Sequence, residues 1–119
     1  MPMSEWIRDE AAEKVWWAVE IFRDRWFVLV LHRLMDGPKR QSQFLDQIEG
    51  ISQRMLTRTL RHMERDGLVT RRVVKDKPLH IEYELSELGH SLKPVLVEVL
   101  QWSQTHRLTV EDSRCRARL

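Results

Sequence analysis

Residues 50–67 read Gly-Ile-Ser-Gln-Arg-Met-Leu-Thr-Arg-Thr-Leu-Arg-His-Met-Glu-Arg-Asp-Gly, and no other stretch restricts the fold as tightly. Ser52 has the right side chain to cap a helix, because its oxygen can accept from a backbone N–H in the first turn. Gly67 stops that helix after Asp66. At 100° per residue, Met55, Leu56, Leu60 and Met63 cluster on one side, while Arg54, Thr57, Arg58, Arg61 and Arg65 lie within about 60° of one line on the other. One face must therefore sit on a core. The other is either a solvated charged face or a surface for something anionic. Faces built for solubility usually mix signs, with acids four residues from bases. Here only Glu64 and Asp66, near the end, carry the opposite charge. Arginine is also the side chain that binds guanine edges and phosphates bidentately.

The surroundings of this helix predict a known layout. Gln41 to Ile48 is a short amphipathic piece with Phe44, Leu45 and Ile48 inward, ended by Gly50. Two helices thus flank the turn Glu49-Gly50-Ile51, which is a helix-turn-helix. Upstream, Val15, Trp16, Val19 and Phe22 recur at helical spacing from about Glu10. Asp24 can cap the next helix, Arg25 to Met35; its valines permit a strand, but its length and the Gly37-Pro38 stop favour helix. Downstream, Leu68 to Val74 reads as a strand, Lys75-Asp-Lys-Pro78 as a turn, and Ile81-Glu-Tyr-Glu-Leu85 as an alternating return strand. These form a two-stranded wing. Ser86 can cap a last helix to about Thr105, with Pro94 kinking or breaking it. The expected fold is mainly α (α+β): a winged helix-turn-helix domain over residues 1–106, then a loose basic tail over 107–119.

Charge follows the same map. Residues 37–80 hold ten Lys or Arg against five Asp or Glu, whereas 1–36 hold five against seven and 81–106 one against four. A local basic stripe is the footprint of a nucleic-acid surface. Lys39, Arg40, Ser42 and Gln43, and then Ser52 and Gln53 at a helix amino end, are suited to hold phosphates. Gln53, Arg54, Thr57 and Arg58 would read base edges in the major groove, with Arg61 farther along the same line. Lys75, Lys77 and His80 would line the wing beside a minor groove. Arg71 and Arg72 point to opposite faces of the strand, so only one of them can face DNA.

Several stretches carry a family resemblance: Arg25-Trp26, Leu34-Met-Asp-Gly-Pro38, Gly50-Ile-Ser-Gln-Arg-Met-Leu-Thr57, Arg58-Thr-Leu-Arg61, Glu64-Arg-Asp-Gly-Leu-Val69 and Glu82-Tyr-Glu-Leu-Ser-Glu-Leu-Gly89. Over Arg25 to Thr105 the chain resembles the HxlR-type winged-helix transcriptional regulators, relatives of the MarR group. The resemblance implies a bacterial or archaeal dimer, with Ser52 to Asp66 as recognition helix and Lys75 to His80 at the centre of the wing. It also implies dimerisation through the first and last helices. Members that sense electrophiles or oxidants use a cysteine near the start of the first helix; here Val15, Trp16 and Trp17 stand there. A basic residue often precedes the Val-Glu-Tyr-like strand, and here His80 takes that place.

The remaining signals concern partners. Trp6, Trp16, Trp17, Trp26 and Trp102 are many for 119 residues. They suit either a planar effector between subunits or core and interface packing, and the second is favoured. Trp26 reads as core. Trp16 and Trp17 point about 100° apart, so one of them faces a partner chain. Leu88, Leu92, Val95, Leu96, Val99 and Trp102 form one stripe, and Val97 and Leu100 lie outside it, again calling for a second subunit. Cys115 is the only cysteine and lies in the basic tail, which suits a reducing cytoplasm and gives no internal disulfide. The histidines have no metal spacing, and no nucleophile motif, phosphate loop or acid–base pair is present. No apolar run is long enough to span a membrane. The expectation is a cytoplasmic, non-enzymatic homodimer without cofactor that binds double-stranded DNA at a near-palindromic operator, by default as a repressor. The rivals are a winged-helix protein-interaction module without DNA binding and an effector-responsive regulator with a Trp-lined pocket.

Overall fold

The computed structural model describes residues 10–118, so the expectation for Trp6 lies outside the described residues. Among these, the order is α1 (Glu10–Glu20), α2 (Arg25–Leu34), α3 (Gln41–Gln47), α4 (Gln53–Arg65), β1 (Val69–Lys75), β2 (His80–Leu85), α5 (Glu87–His90) and α6 (Lys93–Ala117). The mainly α winged helix-turn-helix expected from the sequence is the fold found.

The caps are the ones the side chains predict. Asp24 Oδ1 accepts from the Phe27 N–H at 3.1 Å and opens α2. Ser52 Oγ accepts from the Met55 N–H at 3.1 Å and opens α4. Gly50 at φ 85° and Gly67 at φ 78° make the turns on either side of α4, a backbone region that costs a side-chain-bearing residue energy. Gln43 has a local duty: its Oε1 accepts from the Arg40 N–H at 2.8 Å and secures the start of α3.

The core forms where α2, α3 and α4 meet the wing. Phe27, Val30, Leu31 and Leu34 enter from α2, Phe44 from α3, and Leu56, Leu60 and Met63 from α4. Leu45 is only half-buried against them. Val69, Tyr83 and Leu85 close the core from the sheet. The strands pair antiparallel, Val69 with Leu85, Arg71 with Tyr83 and Arg72 with Glu82, and a register shift between Val73 and Lys75 leaves Val74 unpaired. Lys39 adds a third, one-residue rung: its N–H and C=O exchange 2.8 Å bonds with Tyr83. Ser86 fastens the far end of the wing, donating to the Gly67 carbonyl at 2.5 Å and accepting from the Gly89 N–H at 3.0 Å.

Four expectations are corrected. Pro94 does mark a break, but it sits in the first turn of a new helix, where its missing N–H costs nothing. That helix runs to Ala117 instead of ending near Thr105, so residues 107–117 are helix and not a loose tail. Arg107 to Glu111 and Arg116 to Asp112 pair one turn apart along it, at 2.9 and 2.8 Å. The apolar stripe of the last helix is not an inward face: Leu96 is buried, yet Leu88, Val95, Val99 and Trp102 are exposed alongside Val97 and Leu100. A helix of 25 residues is about 38 Å long, and only its first turn lies over this small core. Val15, Trp16 and Val19 of α1 are exposed as well. Trp26 is half-buried rather than enclosed, with the Arg25 guanidinium 4.5 Å above its ring.

Candidate nucleic-acid interface

The α4 face is built as the sequence predicts. Leu56, Thr59, Leu60 and Met63 are buried. Arg54, Arg58, Arg61 and Arg65 are exposed on the opposite side, and Thr57 is half-buried among them. None of these four arginines has an ion pair among the described residues. Gln53, Arg54, Thr57, Arg58 and Arg61 line one shallow, open depression along the helix. Four unneutralised guanidiniums on a rigid rod, with no carboxylate among them, form a surface that attracts polyanions.

The charge is strong enough to act on a neighbour. His62, half-buried beside this line, is held below the ordinary histidine value, first by burial and then by the positive charges of Arg23, Arg65 and Arg58. Asp66 opposes the effect, and it also lies 3.9 Å from Arg23. Arg23 holds a left-handed backbone, φ 50°, in the turn between α1 and α2.

The start of α3 and the wing form a second part of the surface. Arg40 and Ser42 line a cleft of about 250 Å³ whose other wall is Leu79, Ile81 and Tyr83. Lys39 lies at its edge, half-buried by its pairing with Tyr83. Ser52 is exposed, and its oxygen is committed to capping α4, which leaves the hydroxyl hydrogen to donate. Lys75 and Lys77 are exposed at the wing turn without an ion pair among the described residues. His80 is tied down: its Nε2 lies 3.1 Å from Glu82 Oε2, and Glu82 Oε1 accepts from Arg72 at 3.3 Å. The strand register places Arg72 on that outer, neutralised face and Arg71 on the face of Tyr83 and Ile81, which borders the cleft. Trp16, Trp17, Val97 and Leu100 are on α1 and α6, and Trp16 shares a cleft with Arg58 and His62 of α4.

Sequence reasoning missed Gln41. Its side chain joins Gln53 on α4 and the Tyr83 hydroxyl on β2. A contact spanning 42 positions leaves no periodic signal in the chain.

The profile of the HxlR-like helix-turn-helix family matches residues 21–111, a span that takes in every element from α2 through most of α6. The chain belongs to the HxlR-like helix-turn-helix family. Among its relatives, the HTH-type transcriptional regulator YkvN of Bacillus subtilis is 47% identical over 83 residues, 70% of each protein. YodB of the same organism, also an HTH-type transcriptional regulator, is 37% identical over 86 residues, 72% of this chain and 77% of that protein. The solved structure of the redox regulator HypR in its reduced form has a TM-score of 0.79 at 32% identity, covering 83% of this chain and 98% of that one. The HxlR-family relatives are transcriptional regulators and not enzymes, and this chain is a transcriptional regulator of the same family. No helix among the described residues is long and apolar enough to cross a membrane.

Proposed function

We propose that this HxlR-family regulator is a cytoplasmic homodimer that binds a near-palindromic operator in double-stranded DNA and represses by occluding the promoter. The unneutralised arginine line on α4 carries this reading. The helix enters the major groove, where Gln53, Arg54, Thr57 and Arg58 meet base edges and Arg61 approaches the flanking backbone. Lys39, Arg40, Ser42 and Ser52 hold phosphates at the groove rim, and Lys75 and Lys77 hold them beside the wing. His80 joins them when DNA phosphate competes with Glu82 for its ring. The exposed apolar surface supports a dimer: Trp16 is 61%, Trp17 68% and Trp102 61% exposed, with Val97 and Leu100 on the same long helix as Trp102. A soluble monomer rarely leaves that much apolar surface in water. Two-fold symmetry then demands two half-sites. Selection of bound duplexes from a random pool tests the reading. An inverted repeat with half-sites about one helical turn apart is expected, and a pool showing no enrichment would refute it.

A second reading adds an effector. A cleft between α1 and α4 is lined by Trp16, Val19, Glu20, Arg23, Asp24, Arg58 and His62. Its indole ring among mixed charges suits a planar, polar effector bound beside Arg58, and YodB, a relative, has been solved with a quinone bound. Cys115, the only cysteine, is exposed near the end of α6, so capture by a thiol on α1 is not open to this chain.

A further inference from the structure

Both amide hydrogens of Gln53 are engaged within the protein. Its Nε2 donates to the Gln41 Oε1 and, at 3.3 Å, to Thr57 Oγ1 one turn along α4. Gln41 in turn donates from its own Nε2 to the Tyr83 hydroxyl at 3.4 Å. Tyr83 is 7% exposed and is clamped at both backbone atoms by Lys39, so its hydroxyl is a fixed point. The Tyr83 and Thr57 hydroxyls can each donate or accept, but the two amides must meet donor to acceptor, and they do so with the Gln53 nitrogen on the Gln41 oxygen. With the Gln41 nitrogen anchored on Tyr83, its oxygen faces Gln53. The Gln53 nitrogen therefore turns inward, and its Oε1 is left without a partner among the described residues.

From this we infer that Gln41, anchored on the Tyr83 hydroxyl, is a positioning residue that orients Gln53 to present its amide oxygen to DNA. An exposed carbonyl oxygen accepts and does not donate. In the major groove the donors are the exocyclic amines, N6 of adenine and N4 of cytosine. At the position it meets, Gln53 then favours adenine or cytosine on the contacted strand over thymine or guanine, which offer only acceptors there. A freely rotating glutamine would use both ends and favour adenine by a bidentate pair. The relay trades that option for a fixed preference, and it links the wing to the reading helix through three side chains.

The inference rests on α4 being the reading element, and the experiment separates the two. Wild type and the variants Gln53→Ala, Gln41→Leu, Gln41→Glu and Tyr83→Phe are titrated against the duplex selected from a random pool, its single-base-pair substitutions and a scrambled duplex. Gln53→Ala flattens the preference at one base pair per half-site, where wild type favours adenine or cytosine. Gln41→Leu and Tyr83→Phe, which keep their volume, lower discrimination at that same pair about three- to ten-fold, the worth of one hydrogen bond. Their affinity for scrambled DNA stays at the wild-type level. Gln41→Glu retains the preference, because a carboxylate accepts from both Tyr83 and Gln53, although its charge weakens binding to every duplex. If Gln53→Ala alters a base preference while Gln41→Leu and Tyr83→Phe do not, the relay is overturned and the reading helix stands. If Gln53→Ala alters no preference, or if the preferred base is thymine or guanine, the role given to Gln53 falls and the relay with it.

Discussion

At the scale of single residues, most groups proposed to grip DNA are distinct from those that fold the protein, Ser52 being proposed for both. Lys39 and Arg40 sit where the chain enters α3, off the reading face of α4. Losing either should weaken binding to selected and scrambled duplexes about equally and flatten the salt dependence by about one unit of logarithmic slope. Titrations at several salt concentrations check this; a loss confined to the selected duplex would make either residue a base reader. His62 gives a pH signature. Its pKa in the folded chain lies below the ordinary value of 6.5, so on acidification the unfolded chain takes the proton first. Stability is therefore unaffected above that value and is lost as the pH falls below it, down to the folded pKa. Denaturant melts from about pH 7.5 to about pH 5.5 should show His62→Gln losing less stability than wild type. An identical pH dependence would mean that neither burial nor the neighbouring arginines lower its pKa.

At the scale of elements, local chemistry was legible and distant packing was not. The caps at Asp24 and Ser52, the turns at Gly50 and Gly67 and the alternating strand from Ile81 depend on residues within four positions of one another. A reader of the chain sees all of these. The α4 arginine line was legible for the same reason, since helical period alone sorts Arg54 from Leu56. The exposure along α6 was not legible, because whether an apolar residue is covered depends on how far its helix runs beyond the core; Trp26 does pack on the core, but only at its rim. Residues 107–117 read as loose because the apolar period fades there, yet one-turn ion pairs such as Arg107 with Glu111 support helix without it. Gly89 shows a requirement invisible in the chain. A Cβ there would come within 2.0 Å of the Leu68 carbonyl oxygen and 3.0 Å of Leu85 Cδ2, because α5 lies directly on the start of β1. Gly89→Ala should cost about 1–3 kcal/mol, the range for overpacking, whereas in an open helix it would stabilise. Removing the α4 cap with Ser52→Ala should cost about 1 kcal/mol. Chemical denaturation measures both, and a more stable Gly89→Ala would show that α5 is free to shift.

At the scale of the whole molecule, the compact reading domain carries two helices whose apolar sides it does not cover. In the proposed dimer a second copy would cover both with one symmetry operation and set two α4 helices on the same side of a duplex. Light scattering should give a mass near twice 14.3 kDa at micromolar concentration. Charges placed at Val97 and Leu100 together should return the monomer and take high-affinity DNA binding with it; a monomer that binds as tightly as wild type would contradict the dimer. The central claim is narrower: the exposed arginines of α4 read base pairs. Its most direct test is a fluorescence-anisotropy titration of wild type, Arg54→Ala and Arg58→Ala against the selected and the scrambled duplex. Each variant should stay folded by circular dichroism and lose about 1–3 kcal/mol on the selected duplex, with a smaller loss on the scrambled one. Wild-type affinity for the selected duplex in both folded variants would contradict it.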